Sequence, residues 1–150
     1  MDENTRSLLH QWLAGIVPLQ ALGIELVWTD PDHWHISAPL PLNRNHMGTG
    51  FGGSIATVAT LAGWIQTSLL LDDPNDYDIV IANSSVTFQQ PVTTDFIATA
   101  KLPSSRDVTR FQKSARERQQ GALTVHTEVF CNTQPAAQFS GRFVAQRKPG

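Results

Sequence analysis

The stretch "NRNHMGTGFGGSIATVATLAGW", Asn43–Trp64, decides the fold. It begins as a polar, glycine-dense loop with Asn45 beside His46, and then passes unbroken into an apolar run rich in alanine and threonine. From about Phe51 to Leu71 that run carries no charge, and "DDPND", with its proline and turn formers, closes it as a helix. A helix this apolar around its circumference has to be wrapped by other structure.

The flanking segments supply the wrapping. Leu8, Leu9, Trp12, Leu13 and Ile16 have amphipathic helical spacing after possible N-caps at Asp2–Thr5, and the helix stops near Pro18. Leu22, Ile24, Leu26 and Trp28 alternate with other residues, "TDPD" makes a turn, and Trp34, Ile36 and Ala38 alternate again, which reads as a hairpin. After the apolar helix, "YDIVIANSSVTFQQPV", "DFIATAKL", "VTRFQKSARERQQ", "ALTVHTEVFCNT" and "AAQFSGRFVAQR" all read as strands, with turns at Gly121 and around Gln134 and Pro135. Leu123, Val125, Thr127, Val129 and Cys131 share one face, as do Ala137, Phe139, Gly141, Phe143 and Ala145. The expected fold is α+β, one antiparallel sheet curled around one long central helix.

The 150 residues suit one domain, 1–150, without internal repeat or linker. An apolar content of 41% and a net charge of -2 point away from disorder and from nucleic acid. Cys131, the lone cysteine, allows no internal disulfide. The acidic start lacks a signal-peptide pattern, and no apolar run reaches the roughly 20 residues of a membrane span. A soluble cytoplasmic protein without a membrane partner is expected.

The order of elements, the local run Asn45, His46, Gly48, Thr49, Phe51, Gly52, Gly53 and Ser54, and the segments "ATLAGW" and "DIVIANSSVTFQQPV" carry a resemblance. Over nearly the whole chain the sequence resembles the hotdog-fold thioesterase family typified by the C-terminal domain of the bacterial YiiD protein. The resemblance implies hydrolysis of an acyl-CoA or acyl carrier protein thioester by water attack, with coenzyme A thioester as substrate and no cofactor. It also implies a homodimer or dimer of dimers, since hotdog proteins pair sheet to sheet and share their sites across that interface.

Physical chemistry gives the opening stretch matching roles. A helix N-terminus offers unpaired N–H groups and partial positive charge, and glycines let a carbonyl approach it. Gly52, with Gly53 in support, would then bind the thioester oxygen; alternatively the pair only permits a tight turn. In thioesterases of the phenylacetate-pathway type an Asn orients the water or substrate, and carry-over puts that role on Asn45. The competing reading is an Asn that bonds its own loop.

Two positions depart from that pattern: Phe51 stands where those enzymes have His, and Thr60 where they have a helix acid. Thr60 could position a water but cannot replace a carboxylate base. Gly53, Thr57, Thr60 and Trp64 share a helix face, so Thr57 and Thr60 line an acyl cavity unless they bond back to the preceding turn. His46 has a suitable intrinsic pKa for the missing base, and an acid from a second subunit is the other candidate. Adjacent loop residues point apart, so only one of Asn45 and His46 faces the site.

Along Ile79–Gln89, simple alternation puts Ile79, Ile81, Asn83, Ser85 and Thr87 on one face, so Asn83 or Ser85 could reach the pocket, and equally could be interface or strand polar groups. Six of the 11 basic residues lie between Lys101 and Arg118, including Arg106 and Arg110, which suits phosphates or an acidic carrier, or else a charged edge strand. His33 and His35 share a strand face without a third ligand, and no metal site is expected. Two other readings remain: a non-catalytic acyl-thioester binding module, favoured by Thr60, and a hotdog hydratase or dehydratase, disfavoured by the lack of a helix acid.

Overall fold

A computed structural model describes the whole chain, Met1–Gly150. Helix α1 (Glu3–Ala14) starts where the Asp2 carboxylate accepts the Thr5 N–H at 2.7 Å, and it buries Leu9 and Leu13. Pro18 lies in the first turn of α2 (Val17–Ala21), where a proline has no N–H to waste, so it opens a second helix instead of only ending the first. Strands β1 (Glu25–Trp28) and β2 (Trp34–Ala38) form the expected hairpin, with Leu26 opposite Ile36. Then come α3 (Gly52–Leu69), β3 (Tyr77–Phe88), β4 (Phe96–Ala100), α4 (Ser105–Arg118), β5 (Gln120–Cys131) and β6 (Gln134–Arg147). The six strands make one antiparallel sheet in the order β1-β2-β4-β5-β6-β3.

The sheet encloses α3, as the helix's composition requires. Val58, Ala59, Ala62 and Ile65 are fully buried, and facing them Val125, Val129 and Phe143 are equally inaccessible. Two features seat the helix closely. A Cβ at Gly63 would lie 2.6 Å from Phe143 Cε2, so only glycine lets the helix approach β6 this far. Thr127, on the inner face of β5, donates its hydroxyl to the Ala59 carbonyl at 3.2 Å, which satisfies a polar group that burial would otherwise penalise. The architecture is the α+β hotdog fold. No helix is long and apolar enough to cross a membrane.

Four expectations are corrected. Gly121 marks no turn but lies buried within β5 (Gln120–Cys131), the chain turning at Gln119 instead. The segment "VTRFQKSARERQQ" is mostly helix, not strand. Ser104 caps α4 by accepting the Asp107 N–H at 3.2 Å, Phe111 and Ala115 are its buried residues, and Gln119 ends it in the left-handed region at φ 62°. The turn between the last two strands is Asn132–Thr133, with φ 51° and 61°, while Gln134 and Pro135 already belong to β6. Finally, β3 does not alternate evenly. Ile81 lies opposite Phe143 and Asn83 opposite Arg142, so Ala82 is a bulge that reverses the faces beyond it. Ile79, Ile81, Ser84, Val86 and Phe88 therefore face α3, while Asn83, Ser85 and Thr87 share the outer face with Arg142, Ser140 and Gln138.

Strand β3 is a sheet edge, and most of its 12 residues are exposed, Val80, Ile81 and Phe88 among them.

Replacing Gly63 by alanine forces α3 away from β6. Urea unfolding of Gly63→Ala is expected to show a loss of about 1–3 kcal/mol, and an unchanged midpoint would mean that the contact is not tight.

Candidate active site

The loop before α3 is built by its own polar groups. Asn43 is buried, and its side-chain amide N–H groups donate to the carbonyls of Leu22 at 2.7 Å and Pro39 at 2.8 Å, while its backbone carbonyl accepts the Phe51 N–H at 2.7 Å. Arg44 and Gly50 form a bridge that closes the loop, Gly48 turns it at φ 83°, and Gly50 N–H reaches Val92 O at 2.8 Å. Asn45 organises what lies inside. Its Oδ1 accepts from Met47 N at 2.9 Å and Thr49 N at 3.2 Å, and its Nδ2 donates to Thr49 Oγ1 at 3.0 Å.

This framework delivers the chain to α3 with its first turn open. Phe51 is the N-cap and has no capping side-chain bond. The N–H groups of Gly52, Gly53 and Ser54 find no acceptor in the chain, and the first intrahelical-type bond is Ile55 N to Phe51 O at 3.0 Å. Beside them lies a cavity of about 370 Å³, walled by Thr49, Ile55, Phe88, Pro91 and Val92 among others. Gln89 N–H to Ala136 O at 2.8 Å fixes the wall that follows β3. The Phe51 ring lies against Gly53, where a Cβ would collide with it, whereas at Gly52 a Cβ would meet only the Phe88 ring at an ordinary 3.6 Å. Uncapped donors beside apolar walls favour an oxygen that gains negative charge.

The other sequence candidates fall differently. Thr57 donates to Gly53 O at 2.8 Å and Thr60 to Ala56 O at 2.7 Å, so both hydroxyl protons are spent on the helix and only lone pairs remain free. His46 is exposed on the loop. Asn83 and Ser85, on the outer face of β3, do not join this cavity within one protomer. Arg106 and Arg110 are equally remote. Helix α4 docks at the other end of α3, where Gln112 donates to Leu70 O at 2.7 Å and Arg116 pairs with Asp72 at 3.1 Å. At about 1.5 Å per residue that end lies roughly 27 Å from Gly52.

His33 is engaged by Asp30 through Nδ1 at 2.7 Å, and burial lowers the pKa of His35. Cys131 is buried and accepts from Thr93 N at 3.3 Å. Phe88, Gln89, Gln90 and Val92 were missed as site residues, although "FQQPV" is a legible strand end, and Asn43 was missed as the loop's anchor.

The sequence matches, over residues 5–147, the family described as "Putative thioesterase (yiiD_Cterm)". The chain belongs to that family. A crystal structure described as the putative thioesterase from Shewanella oneidensis is 30% identical with TM-score 0.78, covering 97% of this chain and 99% of that one. A Chlorobaculum tepidum protein of unknown function is 22% identical with TM-score 0.85, covering 95% and 94%. A Bacillus halodurans protein crystallised with CoA is 16% identical with TM-score 0.66, covering 99% and 97%. The last two show the shared fold.

If Asn45 shapes the loop, removing its side chain frees the Thr49 amide. Hydrogen exchange at Thr49 in Asn45→Ala is expected to quicken about fivefold, in line with roughly 1 kcal/mol for the lost bond, with little change in melting temperature. Unaltered exchange would show that the loop does not need Asn45.

Proposed function

We propose that this protein hydrolyses an acyl thioester, of CoA or of an acyl carrier protein, by attack of water on the carbonyl. The carrying observation is the unpartnered Gly52 N–H at the head of α3, opening on a cavity whose lining is apolar at Ile55, Phe88, Pro91 and Val92 and polar at Thr49, Gln89 and Gln90. As water adds, the thioester oxygen becomes negative, and a donor fixed in advance in weakly polar surroundings stabilises it more than mobile solvent does. Gly53 N–H supports it. Asn45 holds the loop that brings Gly52 there; Thr60, about 12 Å along α3 from Gly52 and outside this cavity, has no part in the site of one protomer. His46 or a carboxylate of a second subunit takes the proton of the attacking water; collapse of the tetrahedral intermediate then breaks the C–S bond, and the thiolate leaves with that proton as free thiol while the acyl group departs as the carboxylic acid. Family membership and the CoA held by the Bacillus halodurans neighbour support the substrate class.

We also propose that the protein acts as a homodimer through β3. An edge strand of this length, with Val80, Ile81 and Phe88 exposed, invites a second copy, because its unpaired N–H and C=O groups otherwise face water. A non-catalytic binding module is the second reading, favoured by the absence of any acid on α3.

The backbone permits an unusually clean test. Gly52 is the first helical residue, where proline is at ease, and Phe51 at φ -67° and ψ 130° already has the conformation that precedes proline. Gly52→Pro thus removes the N–H while sparing the helix. Across a panel of acyl-CoAs, kcat is expected to fall about 100-fold or more for Gly52→Pro while Gly52→Ala stays near wild type, and Asn45→Ala is also expected to cut turnover strongly. Equal kcat in the proline and alanine variants would remove Gly52 from the mechanism, and tight binding without thiol release would favour the binding module.

A further inference from the structure

A second groove, of about 800 Å³, lies at the opposite end of β3; Trp12, Ile16, Trp64, Tyr77, Ile79 and Val80 make its apolar wall, and Gln11, Asp78, Gln146 and Lys148 its polar rim. Its walls are fixed. Trp64 Nε1 donates to Ile79 O at 3.2 Å, and the Trp12 and Trp64 rings sit 5.6 Å apart between centroids. Trp64 is twelve residues along α3 from Gly52, about 18 Å at the helical rise, so within one chain the groove does not adjoin the oxyanion donors.

Self-pairing of β3 changes this. In a two-fold antiparallel pair, directly opposed residues must lie on the same face of the sheet. A strand that alternates evenly over Tyr77–Phe88 cannot pair with itself along its full length, because each residue would oppose one of the other face. The bulge at Ala82 removes the conflict. Inward residues are Ile79 and Ile81 before it and Ser84, Val86 and Phe88 after it. Full-length pairing then sets Val86 against the partner's Ile79, Ser84 against the partner's Ile81, and Phe88 against the partner's Tyr77. The Phe88 end, which borders the Gly52 cavity, comes to lie beside the Trp12–Trp64 groove of the second copy.

We infer that the acyl group of the thioester bound at Gly52 enters the groove of the partner protomer, and that Trp64, backed by Trp12, sets the longest chain accepted. This rests on the dimeric acyl-thioester reading above and adds to it a specificity determinant acting between subunits. The two indoles make a rigid apolar stop, locked by the Trp64–Ile79 bond, so length is gauged by fit and not by a yielding side chain.

The test uses straight-chain acyl-CoAs of increasing length. In Trp64→Ala the ratio of long-chain to short-chain kcat/KM is expected to rise about tenfold, with the optimum longer by about two carbons. Ile79→Phe, which narrows the groove, is expected to shift the optimum the other way and serves if the first variant melts early. The decisive arm is a mixed dimer of a wild-type protomer with one carrying both Gly52→Pro and Trp64→Ala. Its only working cavity faces the altered groove, so it should show the long-chain preference; wild-type preference there would overturn the inference. Calorimetric titration with the same panel separates the two levels. If no thioester is cleaved, the hydrolase reading fails, while a length shift in binding by Trp64→Ala still supports the groove. An unmoved optimum in both readouts and both variants would overturn it.

Discussion

The absence of charge along α3 constrains everything around it. A helix whose faces are nearly all apolar must be dry on most sides, and a single sheet achieves this only by curling around it. The close contacts that permit the curl are Gly63 against Phe143 and the Thr127 hydroxyl on Ala59 O. With one side of the helix enclosed by the sheet, Ala56, Thr57, Thr60 and Trp64 stay partly open along the other, and the N-terminal turn is open as well. That turn has no cap, because Phe51 supplies no side-chain acceptor where Ser, Thr, Asp or Asn would ordinarily close it. A capping residue worth about 1 kcal/mol is thus absent at the place where free donors are chemically useful. The loop compensates elsewhere, through Asn43 and the polar web around Asn45.

The same constraint fixes β3. With α3 enclosed by β2, β4, β5 and β6, the strand that completes the sheet is an edge, and its inward residues are only half covered. That leaves two partly apolar hollows, one at each end of the strand, which a single chain cannot unite. In the proposed two-fold pair a hollow of one copy would meet the opposite hollow of the other, making continuous a site that is divided in one chain.

Much of this was legible in the sequence. The apolar run of α3, the hairpin of β1 and β2, and the inner faces of β5 and β6 follow from periodicity, because in each of them burial dictates which residues are apolar. Helix α4 was not read, since its packed side rests on little more than Phe111 and Ala115 amid charges, and a sparse stripe of this kind passes for strand alternation. Its signature was the Ser104–Asp107 cap. The bulge at Ala82 had no signal at all: β3 is so exposed that neither face demands apolar residues, and its register comes from β6. At the site, Gly52 could be placed because a helix start is a backbone property. The orientation of Asn45, Thr57 and Thr60 could not, because each chose a nearby backbone or loop partner over the cavity.

The central claim is that the open first turn of α3 polarises the acyl carbonyl. The most direct measurement is the infrared C=O stretch of a carbon-13-labelled CoA ketone analogue, in which a methylene replaces the thioester sulfur, free and bound. Hydrogen bonding to the Gly52 N–H predicts a band moved to lower frequency on binding to the wild-type protein and returned toward the free value in Gly52→Pro. A bound carbonyl with the same frequency in both proteins would contradict the account.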